Sequence, residues 1–124
     1  LDDYVLTNNI YRVNYLNFNF SDIEDLTGIE DFVNLEYLHI YDIELTSLDV
    51  SKNTKLYYLQ VGNNQLTSLD VSGYTALRRL YVFGNSLTCI NVSQTQLDNI
   101  NPTNIYPYYF YKDSGASWST SCTP

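Results

Sequence analysis

Three consecutive stretches of this chain can be written above one another without a gap, and this constrains the fold more than any other property of the sequence. LEYLHIYDIELTSLDVSKNTK (35–55), LYYLQVGNNQLTSLDVSGYTA (56–76) and LRRLYVFGNSLTCINVSQTQ (77–96) bring their apolar residues into coincident columns at a spacing of 21. The columns are Leu35, Leu56, Leu77; Leu38, Leu59, Leu80; Ile40, Val61, Val82; Leu45, Leu66, Leu87; Leu48, Leu69, Ile90; and Val50, Val71, Val92. Self-similarity at a fixed period is the mark of a chain built by stacking one unit on the next, because a single unit cannot bury its own apolar face. A looser copy lies upstream, with Val13, Leu16, Phe18, Ile23 and Leu26 in the first five columns; LTGIEDFVNL makes it one residue longer. The expected organisation is four repeats, 13–34, 35–55, 56–76 and 77–97, with 1–12 as the remnant of an N-terminal cap and 98–124 as a C-terminal cap.

Within each repeat the alternation Leu38-His39-Ile40 is strand-like, two side chains inward and one outward. Each repeat therefore supplies one short strand, and stacking makes a parallel sheet. The pattern L-x-x-L-x-[LIV]-x-x-N-x-L is that of leucine-rich repeats. The fold class expected is a strand-rich α/β-type leucine-rich-repeat solenoid: a short curved parallel β-sheet of four to five strands with an irregular, turn-rich convex side. The Asn column, Asn64 and Asn85, is expected to satisfy backbone groups where the chain turns away from the strand. The first two copies carry Ser21 and Ile43 there, and Ile43 has no group to bond with, so irregularity or compensation by water is expected around 42–44. A second polar ladder, Asp49, Asp70, Asn91 with Ser51, Ser72, Ser93, suits turn and capping bonds to nearby backbone. One Asp per repeat is thin for a calcium column, which needs several converging oxygens.

Charge narrows the partners. Residues 1–49 hold eleven acidic residues and one basic one, Arg12, whereas 50–124 hold three acidic and five basic. Nucleic-acid binding needs a basic face, docking on an anionic membrane needs basic clusters, and no apolar run approaches the ~20 residues of a spanning helix. No nucleic acid and no membrane insertion are expected. No signal peptide is visible, as expected of a mature or trimmed chain. The sequence has no H-E-x-x-H, Gly-rich phosphate loop or G-x-S-x-G. His39 stands alone as the one histidine, which suits a hydrogen-bonding surface imidazole better than a metal ligand. No catalytic residue, metal or cofactor is expected. The two cysteines, Cys89 and Cys122, fit either one disulfide or two reduced thiols.

NNQLTSLDVS (63–72) and LTSLDVSKNTKL (45–56) resemble the repeats of leucine-rich-repeat surface proteins of the Bacteroidetes, and the resemblance covers nearly the whole chain. LDDYVLTNNI (1–10) and DLTGIEDFVNLEYL (25–38) resemble the lead-in of that family, which carries a short amphipathic helix further upstream; its absence implies a trimmed or cleaved N-terminal cap. LTCINV (87–92), a Tyr-rich loop and KDSGASWSTSC (112–122) resemble the family's C-terminal cap. By analogy with that cap, Cys89 and Cys122 are expected to be bonded to each other, Cys89 replacing the Ser47 and Ser68 of earlier repeats. A disulfide implies an extracellular or cell-surface location. The segment 101–113 is expected to cover the open end of the core, with Trp118 packing near the bridge.

The family's usual contact surface is the concave strand face, and here it is rich in Tyr. Outward positions are Asn14, Tyr15, Asn17, Asn19; Glu36, Tyr37, His39, Tyr41; Tyr57, Tyr58, Gln60, Gly62; and Arg78, Arg79, Tyr81, Phe83, which include six of the thirteen tyrosines. Tyr joins a large contact area to a hydrogen-bonding tip, and Arg beside it makes a hot-spot-like set. These residues are the candidate binding site of a monomeric, non-enzymatic scaffold for a protein or glycan at a cell surface. Alternatives remain: sugar rings stacked on the Tyr columns, a spacer in a larger surface protein, a purely structural ladder of Tyr15, Tyr37 and Tyr58, or ice binding by Thr46, Thr67 and Thr88.

Overall fold

The structure is a computed structural model, and it describes residues 10–19, 22–23, 25–100 and 107–122. Ser21, most of the N-terminal cap and the 101–106 part of the C-terminal cap lie outside the described residues. The fold is a strand-rich α/β arrangement of two parallel sheets and a helix. Strands β1 (Tyr15–Asn17), β2 (Tyr37–His39), β3 (Tyr58–Gln60), β5 (Arg79–Tyr81) and β7 (Tyr109–Tyr111) form the larger sheet in that order. Strands β4 (Leu69–Asp70), β6 (Cys89–Asn91) and β8 (Ser117–Ser119) form the smaller one.

The period of the sequence is the step of the larger sheet. Leu16 pairs with Leu38, Leu38 with Leu59 and Leu59 with Leu80, so each apolar column becomes a ladder across neighbouring strands. Leu38, Leu59 and Leu80 are fully buried, as are Leu35, Leu56 and Leu77 ahead of the strands. Val50, Val71 and Val92 close the far side of the same core. Each such side chain contributes ~1.5–3 kcal/mol of apolar burial. Phe110 continues the Leu80 ladder in β7, so the fifth strand comes from a segment outside the repeat alignment.

The smaller sheet departs from the expectation of one strand per repeat. The segment expected to make only turns alternates in the same way as the first strand, with Leu69 and Ile90 inward, and stacking brings successive copies within pairing distance. Val71 N–H donates to Asn91 O at 2.9 Å, and Val92 N–H donates to Ser119 O at 2.9 Å, which extends the pairing past the strands themselves. Asp49 and Asp70 still make the expected turns, each Oδ1 accepting the N–H of the Ser two residues on at 2.9 Å. The hydrogen bonds from Ser51 hold the Asp49 carboxyl below its usual range. Burial pushes Asp70 up, but the bonds from Ser72 and Asn91 outweigh it and the net shift is downward.

Asn64 organises the turn out of β2. Its Oδ1 accepts the N–H groups of Ile43 and Leu45 at 3.1 and 3.0 Å, and its Nδ2 donates to Ile40 O at 2.6 Å. The irregularity expected at 42–44 is present, since Asp42 and Glu44 sit at φ 59° and 60° on either side of Ile43. The compensating group is the Asn of the following repeat, reaching back across one strand. Asn85 repeats the arrangement one step on, accepting Leu66 N–H at 3.0 Å and donating to Val61 O at 2.9 Å. Beside it, Gly84 adopts φ 74°, and a Cβ there would run into the backbone and side chain of Asn63. Gly84→Ala is expected to cost about 1–3 kcal/mol, read as a shifted urea midpoint. Gly73→Ala, whose added methyl meets nothing within 4 Å, is the near-neutral control.

Stacking ends at a helix, α1 (Gln94–Ile100), and a crosslink. Ser93 and Gln96 form a reciprocal cap at its start: Ser93 Oγ accepts Gln96 N–H at 3.1 Å and Gln96 Oε1 accepts Ser93 N–H at 2.8 Å. The same Gln96 is buried and donates through Nε2 to Val71 O at 2.8 Å, tying the helix to the repeat before it. Cys89 and Cys122 are disulfide-bonded, with Cα atoms 5.8 Å apart. Trp118 pairs in register with Ile90 beside the bridge and meets the Phe110 ring at 5.7 Å. Among the described residues, no helix is long and apolar enough to cross a membrane.

Candidate functional site: the outward face of the larger sheet

Strand pairing sorts the outward side chains into rows that run across the sheet. One row is Tyr15, Tyr37, Tyr58, Arg79 and Tyr109; the next is Asn17, His39, Gln60, Tyr81 and Tyr111. Tyr57 and Arg78 stand just ahead of β3 and β5, where Arg78 N–H and Arg79 N–H both donate to Tyr57 O. Tyr41, Gly62 and Phe83 follow the strands. Every strand-face candidate from the sequence thus lies on or beside this one surface. Tyr15, Tyr37, Tyr57, Phe83, Tyr109 and Tyr111 are its exposed large hydrophobic side chains.

The rings are joined both diagonally from row to row and between aligned neighbours of one row. His39 stacks on Tyr58 at 4.8 Å and 20°, and meets Tyr15 at 5.3 Å and 52°. Tyr58 meets Tyr81 at 5.4 Å, and Tyr81 stacks on Tyr111 at 5.3 Å and 20°. Phe83 closes the series against Tyr111 at 6.3 Å. The straight ladder of Tyr15, Tyr37 and Tyr58 is therefore replaced, at its first step, by contact of Tyr15 with His39; Tyr37 meets Tyr57 and Tyr58, each at 6.1 Å. Each ring pair adds ~0.5–1.5 kcal/mol beyond its buried area. A ring stacked on its neighbour gives its face to that neighbour and leaves its edge and polar tip to solvent. Burial between two tyrosines keeps the His39 imidazole below its usual pKa, and burial raises the Tyr58 phenol with help from Tyr81. On this geometry His39 is a ring in a stack.

Polar side chains hold the remainder in place. Gln60 Oε1 accepts Gly62 N–H at 2.7 Å, so the strand residue closes its own turn. The Tyr41 ring lies over Gly62, where a Cβ would come within 3.2 Å of it, and the Tyr41 hydroxyl accepts from Asn63 Nδ2 at 2.7 Å. Arg78 donates to Thr75 O and Leu77 O at 2.8 and 3.0 Å and lies over Tyr108 at 4.4 Å. Arg79 is exposed, and its guanidinium lies 5.3 Å over the Tyr109 ring.

Tyr108, Tyr109 and Tyr111 were not among the face residues read from the sequence, because β7 follows β5 after 30 residues instead of 21. The run Tyr108-Tyr109-Phe110-Tyr111 is aromatic throughout, so only the pairing of β7 with β5 separates outward Tyr109 and Tyr111 from inward Phe110. Among the described residues no group of three His, Cys, Asp or Glu side chains is placed to hold a metal ion. No family model matches the chain, and no curated protein is significantly similar to it.

Proposed function

We propose that the chain is a leucine-rich-repeat solenoid of the Bacteroidetes surface-protein kind, acting outside the cytoplasm as a non-enzymatic protein-binding scaffold through its strand face. The solenoid reading is supported by in-register parallel pairing of strands that lie 21 or 22 residues apart. The Cys89–Cys122 disulfide is compatible with an oxidising, extracellular setting. The observation that carries the binding reading is the joined row of rings from Tyr15 to Tyr111. Its side chains are held by their neighbours, so little rotamer freedom is lost when a partner docks.

The same geometry favours protein over glycan at this face. A sugar ring stacks on an open aromatic face, whereas His39 stacks on Tyr58 and Tyr81 stacks on Tyr111, each ring giving one face to its partner. The tyrosine hydroxyls along this strip suit peptide groups and polar side chains.

A pull-down from cell-surface extracts with the intact chain and with Tyr58→Ala/Tyr81→Ala tests the reading. Partners captured by the intact chain are expected to fall at least ~10-fold with the variant, as for hot-spot truncation. Equal recovery by both proteins would remove the strand face as the contact surface. Saturable binding on a glycan array, lost in Tyr57→Ala and Tyr58→Ala, would replace the protein-binding reading by the carbohydrate one.

A further inference from the structure

We propose that the strand face takes an extended acidic peptide, a carboxylate of the peptide pairing with the guanidinium of Arg79 at the β5–β7 end of the sheet. This rests on the protein-binding reading above and names the chemistry of the partner. The charges on and beside the face are few. Glu36, toward the β1 end, already accepts from Asn14 Nδ2 at 3.3 Å. Asp113, toward the β7 end, accepts Gly84 N–H through Oδ2 at 2.9 Å. Among the described residues, neither Arg78 nor Arg79 is paired with a carboxylate.

The two guanidiniums differ in freedom. Arg78 is committed to two carbonyls and the Tyr108 ring. Arg79 has the Tyr109 ring beneath it and is otherwise exposed, between Tyr58 and Tyr109 in its row. A guanidinium seated on an aromatic face keeps its in-plane N–H fork available, the geometry that matches a carboxylate. Glu36, beside the β1–β2 end of the face, disfavours an acidic group there and gives the bound peptide a direction. Five strands at ~4.8 Å make a strip ~19 Å long, which an extended peptide of ~6 residues spans at ~3.3 Å per residue. Mutual stacking of the rings argues against an acidic polysaccharide on the same strip.

A random hexapeptide display library, panned against the whole chain and against Tyr58→Ala/Tyr81→Ala, tests the proposal, with selected peptides re-measured on Arg79→Gln. The expected result is peptides that need the two tyrosines, carry Asp or Glu toward one end, bind ~10-fold more weakly to Arg79→Gln, and weaken as salt rises. Tyrosine-dependent peptides without acidic residues, or indifferent to Arg79→Gln, would overturn the acidic assignment and leave the protein-binding face standing. Peptides indifferent to both changes, or none selected at all, would overturn both. Polygalacturonate binding that is saturable and lost in Arg79→Gln, with no peptide selected, would reassign the site to an acidic glycan. If circular dichroism shows the double tyrosine variant unfolded, the exposed Arg79→Gln substitution decides alone.

Discussion

Asn64→Ala will lower the unfolding free energy by about 3–5 kcal/mol, among the largest losses available to a single side chain outside the apolar columns. Removing the amide strands three backbone groups: Ile43 N–H, Leu45 N–H and Ile40 O. Each buried polar group left without a partner costs ~1–3 kcal/mol, and water admitted to the turn recovers part of the sum. Asp42 and Glu44, both at positive φ, are held there by the same bonds, so the turn should open locally as well. Asn85→Ala makes the comparison informative. Asn85→Ala should cost about two-thirds as much, because Val61 O keeps its bond from Asn64 Nδ2 and only two groups, Leu66 N–H and Val82 O, are left without a partner. Urea unfolding of both variants measures the difference. Equal and small losses would mean that the Asn column does not hold the turns together.

Breaking the crosslink is the second large effect. Cys89 and Cys122 are 33 residues apart, and in the loop-closure model removing such a crosslink costs about 3–4 kcal/mol. The double variant Cys89→Ser/Cys122→Ser keeps the side-chain sizes close and should show this as a lower urea midpoint. The loss will also be uneven in space. Among the described residues β8 pairs as a strand with β6 alone, and Cys122 N–H donates to Asn91 Oδ1 at 3.3 Å next to the bridge. Trp118, the one tryptophan of the chain, sits in β8 and reports on that end. Its fluorescence should therefore change at lower urea than far-UV circular dichroism does. Coincident transitions at an unchanged midpoint would show the bridge to be dispensable.

Most of the larger sheet is legible in the columns, because the residues that align at 21 are those that pair across strands. The smaller sheet is not, and the reason is instructive. LTSLDVS occurs at 45–51 and again at 66–72, yet Leu69–Asp70 is a strand and 48–49 is not. Identical heptapeptides differ here through what lies beside them, which no local pattern records. The start of α1 is readable as Ser93-x-x-Gln96, a capping box, although Ser93 also falls in the turn ladder of the fourth repeat. On the face, parity picks out the outward side chains of β1, β2, β3 and β5, but neither those of β7 nor which rings touch. Which ring leans on which is set by side-chain conformation and not by register: Tyr15 reaches His39 instead of its aligned neighbour Tyr37, whereas Tyr81 stacks on its aligned neighbour Tyr111.

Equality between the repeat and the sheet step has a consequence for how such a chain can change. Excising residues 56–76 would bring Leu38 beside Leu80 and Ile40 beside Val82 with every remaining apolar column still in step. Duplicating the same block would insert one more strand on equal terms. Unequal exchange between neighbouring copies of the coding unit would thus lengthen or shorten the aromatic strip by whole rungs of ~4.8 Å, leaving both ends of the molecule as they are.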